Sequence, residues 1–387
     1  MSQICYLDYN ATAPVKPDVV SRMSAILACA GNPSSVHTGG RRARRAIEEA
    51  RENVGDLVGC APERVVFTSG GTEANNFAIS YRPRILVSAV EHVSILDAVS
   101  DAIRIPVNSS GIIDLDALRW ALSRETAPAL VSVMMANNET GVIQPLGRVA
   151  EIAHEFGALC HCDAVQAAGK ISFKMDDLGI DLLSLSAHKL GGPQGVGALV
   201  LADDIEVQPL IRGGAQERGW RAGTENVPGI VGFGVAAALC HEDYDARIAG
   251  LRDRIERHVT QVAPRATIFA ADVPRLSNTS CIVMPGVPSE TQVIAFDLAG
   301  IAVSAGAACS SGRVARSHVL DAMGADPMES GCAIRVSLGW ATRDSDIDRF
   351  LVVWNDLHAR SRARREPRTA TENAVPEIIA TGRMVLP

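Results

Sequence analysis

Lys189 lies in the run DLLSLSAHKLGGPQGVGALV at 181–200, directly after His188, three residues after Ser186 and just ahead of a glycine-rich turn. Asp163 closes an apolar run some way upstream. An amine among phosphate-binding side chains, with a carboxylate at a nearby strand end, is what pyridoxal phosphate chemistry requires. The lysine holds the cofactor's aldehyde. The acid keeps the ring nitrogen protonated so that the ring accepts electrons, and Ser186 and His188 hold the phosphate. A single lysine in a glycine-rich turn is more often a solvated surface residue, so this reading depends on the other motifs.

TSGGTEANN at 68–76 sits between an expected strand and an expected helix. Small residues there let the backbone approach an anion, and the first-turn N–H groups face it. The lysine of a P-loop is missing. With Ser186 and His188, Gly71 and Thr72 read as a phosphate cradle. Glu91-His92 follows an apolar run at 85–88, where ligands bind in open α/β sheets, and a histidine there can stack on a ring and move protons. Asn137-Asn138-Glu139-Thr140-Gly141 offers amide donors in a tight turn, although ordinary turn chemistry would use the same residues.

Cys160-His161-Cys162 has no second Cys/His pair at ligand spacing, so buried core thiols are expected and no metal site. Cys309 is different. It lies in SAGAACSSGR, a run of small residues suited to a mobile, exposed nucleophile. Arg335 stands inside the apolar stretch AIRVS, which leaves two readings open: a ligand for a substrate carboxylate, or half of a buried ion pair.

Short apolar runs at 65–67, 85–88, 103–107, 129–133, 158–162, 182–185 and 196–201 alternate with helical periodicity at 40–58, 72–80, 93–101, 114–124 and 146–156. Such alternation predicts an α/β fold around a largely parallel, buried sheet. The last two runs are joined only by the lysine loop, so that pair is expected to be antiparallel. The glycine-rich segment 212–224 reads as an ordered functional loop, 226–263 as helix, and the region from Ser277 onward as a second domain completed by the N-terminal segment. Strands are expected there near 279–283, 301–303 and 333–337, with helices near 289–299 and 344–360.

The chain has 387 residues, 47% of them hydrophobic but only 4% aromatic, which suits an aliphatic α/β core. A net charge of −7 argues against general nucleic-acid binding, and the arginine clusters at 41–45 and 360–368 read as solvated faces. No signal-like or membrane-spanning apolar run is visible. Nine scattered cysteines fit reduced thiols in a cytoplasmic protein better than a disulfide framework.

Together the motifs resemble the cysteine desulfurases of the nitrogen-fixation and iron–sulfur-cluster type, within the class V aminotransferases. The likeness runs through YLDYNATAP, GNPSSVH, TSGGTEANN, EH, NNETG, DAVQ, SAHK, RGGAQERGWRAGTEN, SAGAACSSG and IRVSLG, in that order. Two small departures are Ala187, where glycine is frequent, and Ala13, where threonine is frequent.

The resemblance implies the fold type I of pyridoxal-phosphate-dependent transferases. A large domain at 14–245 would carry a mainly parallel seven-stranded sheet. A smaller α+β domain would combine 1–13 with 246–365 and bear the mobile cysteine loop, leaving 366–387 as a poorly ordered tail. Lys189 would hold the cofactor and remove the substrate's α-proton. Asp163 would pair with the ring nitrogen, and Gln166 and Asn138 would lie on the ring-oxygen side. His92 would stack on the ring and act in proton transfer. Gly71, Thr72, Ser186 and His188 would bind the phosphate, with Thr224 reaching the phosphate of a neighbouring copy in a homodimer. Asn138 and Arg335 would hold the carboxylate of L-cysteine, and Cys309 would take its sulfur as a persulfide. A protein acceptor or scaffold for iron–sulfur or thiocofactor synthesis would follow. Selenocysteine lyase, another class V enzyme and an inactive scaffold relative are the alternatives.

Overall fold

The computed structural model describes residues 4–203, 205, 207–240, 244–306 and 316–365. Strand β1 (Cys5–Tyr6) comes first, followed by the strands of the main sheet: β2 (Val65–Thr68), β3 (Arg84–Ser88), β4 (Ile103–Ile105), β5 (Ala129–Ser132), β6 (Leu159–Asp163), β7 (Leu182–Ser186) and β8 (Gly197–Leu201). These seven lie in the order β2-β8-β7-β6-β5-β3-β4. Only β8 runs against the others, pairing antiparallel with both β7 and β2. The Lys189 turn is too short for a parallel crossover, so the reversal expected for this pair follows from chain length.

Strands β2, β5, β7 and β8 are buried along their whole length because helices cover both faces. The helices are α1 (Pro17–Leu27), α2 (Thr38–Val58), α3 (Gly71–Ile79), α4 (Val93–Leu96), α5 (Leu115–Ser123), α6 (Leu146–Glu155) and α7 (Val227–Ala238). Helix α2 buries Ala46, Ile47, Ala50, Val54 and Val58, the stripe its periodicity predicts, and ends at Gly59 with φ +69°.

A second core forms around α8 (Tyr244–Val262), with β9 (Thr267–Ile268), β10 (Thr279–Val283), α9 (Ser289–Leu298), β11 (Ile301–Ala302) and β12 (Ser304–Ala305). The short helix α10 (His318–Ala322), followed by α11 (Pro327–Ser330), buries Val319 and Leu320 in a separate cluster with Val90, Val142 and Val283, whereas β13 (Ala333–Ser337) and α12 (Asp344–Arg365) complete the second core. The order β12-β13-β10-β9 is antiparallel throughout, while β1 pairs parallel with β11. Phe296 stacks on Phe350 at 4.8 Å beside Ile248, Ile255 and Trp354.

Three expectations need correction. The single helix expected over 226–263 is two, because α7 belongs to the core of the main sheet and α8 to the second core. The helix expected at 93–101 stops at Leu96, since Ser100 and Asp101 favour turns and β4 must begin at Ile103. The strand expected at 301–303 divides at Val303: β11 follows β1, whereas β12 crosses to β13. Helix α1 was not anticipated.

The main sheet places the C-terminal ends of β2, β3, β5, β6 and β7 at one edge. Each of those ends delivers a motif: TSGG, Glu91-His92, the Asn138 turn, Asp163 and Lys189 respectively.

Candidate active site

A cavity of about 340 Å³ opens at that edge. It is lined by Gly71, Thr72, His92, Asn138, Asp163, Gln166, Ser186, His188, Lys189 and Arg335, and also by Asn10, Asn75 and Ser94. Residues from five strand ends of the main sheet, from the middle of β13 and from the segment after β1 therefore share one small space. Thr224 is not among them. It is exposed and lines a surface pocket with Ser69, Gly195 and Arg221. Cys309 lies outside the described residues.

Lys189 leaves β7 on a single tight turn (Ala187–Lys189), and its Nζ donates to the carbonyls of Asn10 (2.5 Å) and Ala11 (2.9 Å). Burial pushes its amine down to about 8; Arg335 pushes the same way, and Asp8 and Asp163 oppose it. A neutral, nucleophilic amine is thus accessible near neutral pH. Asp163, only 6% exposed, accepts from the Val165 N–H (2.9 Å) and the Asn75 amide (2.7 Å), which fix its plane.

At the other end of the cavity, no side chain caps α3, so its first-turn N–H groups are free to meet an anion. A Cβ on Gly71 would stand 2.8 Å from Val165 Cγ2, so a larger residue would fill the cradle. Ser186 and His188 complete that end. His188 Nδ1 lies 3.2 Å from Thr12 Oγ1, and burial with Lys189 nearby lowers its pKa to about 4, leaving a neutral imidazole.

Arg335 combines both readings left open by the sequence. It is 2% exposed; its Nη2 pairs with Asp8 at 2.7 Å and its Nη1 donates to the Asn138 carbonyl at 3.1 Å. Its Nε is buried without a partner while the residue lines the cavity, so donor capacity is left for an anionic ligand. Anion donors at both ends, a carboxylate beside β6 and an amine between them fit a phosphorylated pyridine aldehyde together with an amino acid.

Two buried residues were not singled out from the sequence. Asn10 is a hub: its carbonyl accepts from Lys189 and from Gln166 Nε2, and its amide reaches Asn138 O, Thr279, Lys170 and Asn278. Lys170 donates to Gln166 Oε1 (2.8 Å) and Asn10 Oδ1 (3.1 Å). Burial first, then Lys189 and Arg335, hold its amine well below the usual range. The signal for Lys170 was its place four residues after Gln166, and for Asn10 its presence in YLDYNATAP.

Glu91 lies beneath His92, fully buried, with Oε1 accepting the Met134 N–H (2.7 Å); burial holds its carboxyl well above the ordinary range. Further along the chain, Ser317 Oγ donates to Glu139 Oε2 (2.6 Å), and His318 Nε2 lies 2.9 Å from the Glu91 carbonyl. Cys160 and Cys162 are fully buried, and burial raises both thiols.

The 212–224 segment is anchored rather than loose. Glu217 and Arg218 adopt left-handed backbone angles (φ 45° and 58°). The Glu217 carboxylate grips Arg51 at 2.8 and 2.9 Å and the Phe67 N–H at 2.8 Å. Arg221 reaches Glu73, at the start of α3, at 2.9 Å. Glu217→Ala would leave the buried Arg51 guanidinium with only the more exposed Glu48 and the Val65 carbonyl, and is expected to cost about 3 kcal/mol. Chemical denaturation checks this, and an unchanged midpoint would contradict it.

Residues 5–350 match the family described as aminotransferase class-V, and the chain belongs to that family. It is 46% identical to a cysteine desulfurase of Cereibacter sphaeroides, over 92% of this chain and 96% of that one. It is 38% identical to an IscS-like cysteine desulfurase of Mycobacterium tuberculosis, over 93% and 97%. Among solved structures, a NifS-like protein from Rickettsia africae superposes with a TM-score of 0.87 at 34% identity, covering 92% of this chain and 100% of that one. Among the described residues, no helix is long and apolar enough to cross a membrane.

Proposed function

We propose that this chain is a cysteine desulfurase that binds pyridoxal phosphate in the cavity around Lys189, releases L-alanine from L-cysteine and carries the sulfur on Cys309. The observation that carries the reading is the meeting of a lowered-pKa lysine, Asp163 and an anion cradle in one cavity. The chain in which they meet has 46% identity to a cysteine desulfurase.

When bound, the cofactor's protonated ring supplies the electron sink that acidifies the amino acid's α-proton. Every other part belongs to the chain. Asp163 holds the proton on the ring nitrogen. Gly71 and Thr72 at the start of α3, with Ser186 and His188, hold the phosphate. Gln166, its Oε1 occupied by Lys170 and one amide hydrogen given to the Asn10 carbonyl, would offer its second amide hydrogen to the ring oxygen, with Asn138 lining the same cavity. The free Nε of Arg335 binds the substrate carboxylate while Asp8 keeps the guanidinium in place. Lys189 removes the α-proton in its neutral form. The Cys309 thiolate then attacks the substrate sulfur: an S–S bond forms, the C–S bond breaks, and its electron pair stays with the carbon that becomes the alanine methyl. The persulfide passes to a protein acceptor or scaffold for iron–sulfur or thiocofactor synthesis.

Thr224 serves the phosphate of a second copy, which makes the working unit a homodimer, and the setting is cytoplasmic. A large domain (14–245) and a small one (1–13 with 246–365) are part of this reading, supported by the separate apolar cores around the main sheet and around α8 with α12. Reconstitution with pyridoxal phosphate tests the reading: visible absorbance should appear, and L-cysteine should then yield alanine. A protein that stays colourless would instead fit an inactive scaffold.

The lowered pKa of Lys189 gives a pH prediction with a definite sign. Below about 8 the amine is mostly ammonium and has no lone pair; above it the neutral form dominates. Capture of the aldehyde cofactor by apoprotein should therefore accelerate with rising pH and level off above that value. Stopped-flow absorbance measures it, and a rate that is flat through that range would contradict the assignment.

A further inference from the structure

We infer that Asn75 and Ser94 are positioning residues that fix the tautomer of His92, keeping Nδ1 free of a proton and the hydrogen on Nε2. The inference rests on the proposed cofactor site only for what His92 faces; the relay itself is built from this chain alone.

The direction of each bond is forced. The Asp163 carboxylate can only accept, so the Asn75 side-chain atom 2.7 Å from Oδ2 is the amide nitrogen. That nitrogen also lies 2.9 Å from Ser94 Oγ and has no lone pair to offer, so it donates there too. Ser94 Oγ thereby accepts from Asn75 and still has one hydrogen and one lone pair, and the backbone donor at the ring nitrogen decides which of them it uses. The atom 2.8 Å away is His92 Nδ1. The Ser94 backbone N–H donates to the same Nδ1 from 3.1 Å, as the cap of α4. Two donors aimed at one ring nitrogen exclude a proton from it, so the neutral ring carries its hydrogen on Nε2.

The charged surroundings act in the same sense. His92 is open to the cavity but crowded by protein, and this burial is the first cause that lowers its pKa. Lys189 across the cavity and His318 of α10 add to the lowering, while Asp163 and Asp97 oppose it. His92 is thus a neutral ring that donates from Nε2 and cannot act as a base through that atom. His92 Nε2 therefore does not compete with Lys189 for the α-proton, and the relay links the ring-nitrogen partner Asp163 to His92 through two side chains.

The test is ¹⁵N-histidine NMR of cofactor-loaded protein near neutral pH. His92 is assigned among the nine histidines by its loss in His92→Gln. The expected wild-type result is an unprotonated, hydrogen-bonded Nδ1 and a protonated Nε2. Ser94→Ala should shift population toward the Nδ1–H form and raise the His92 titration midpoint by about one pH unit. Ser94→Thr should restore the wild-type pattern. A wild-type Nδ1–H tautomer, or Ser94→Ala spectra identical to wild type, would overturn the inference. If the protein failed to take up the cofactor, that would count against the proposed function, while its spectra would still decide the tautomer.

Discussion

Lys189→Ala is expected to lose the visible absorbance of bound cofactor and to lower the rate of alanine release by about 10⁴-fold or more. Two losses combine. Among the described residues the amine is the only side-chain amine lining the cavity between the phosphate cradle and Asp163, so none of the others there can hold the aldehyde. It is also the base for the α-proton, held partly neutral by burial near Arg335. Lys170 cannot substitute. Its Nζ is spent on Gln166 and Asn10, behind the cavity wall. Absorbance spectra with single-turnover alanine assays check the prediction, and a variant that keeps both colour and turnover would refute the assignment.

Cys309→Ser is expected to separate the two halves of the chemistry. Cofactor absorbance and its change on adding L-cysteine should persist, because every described residue of the cavity is intact. Persulfide formation should vanish and alanine release should fall by about 10³-fold, since a hydroxyl at ordinary pH is far less nucleophilic than a thiolate. Full activity on cysteine in this variant would move the chain toward the selenocysteine lyase reading or another class V reaction.

Much of this was legible in the sequence because the main sheet is built from local signals. Five of the seven apolar runs end in a short motif, and parallel strands must put those ends at one edge, so TSGG, His92, Asp163 and Lys189 converge without any knowledge of long-range contacts. The antiparallel β7–β8 pair followed from the length of the lysine turn. What was not legible depends on distant partners. Asn10 meets Gln166, Lys170 and Asn278 only because β1 and its continuation are carried over to the main sheet's edge. The break between α7 and α8 has little local signature, since it is set by which core each half packs against. Strand β11 and β12 split for a similar reason, each following a different neighbour. Arg335 was legible as a residue in need of an anion, but not as one already shared between Asp8 and the cavity.

The most direct measurement is incubation of cofactor-loaded protein with L-cysteine, followed by quantification of alanine and the mass of the Cys309 peptide. The account predicts alanine and a Cys309 peptide heavier by one sulfur atom, released by a thiol reductant. Alanine without any sulfur on Cys309, or no alanine from a fully coloured protein, would contradict it.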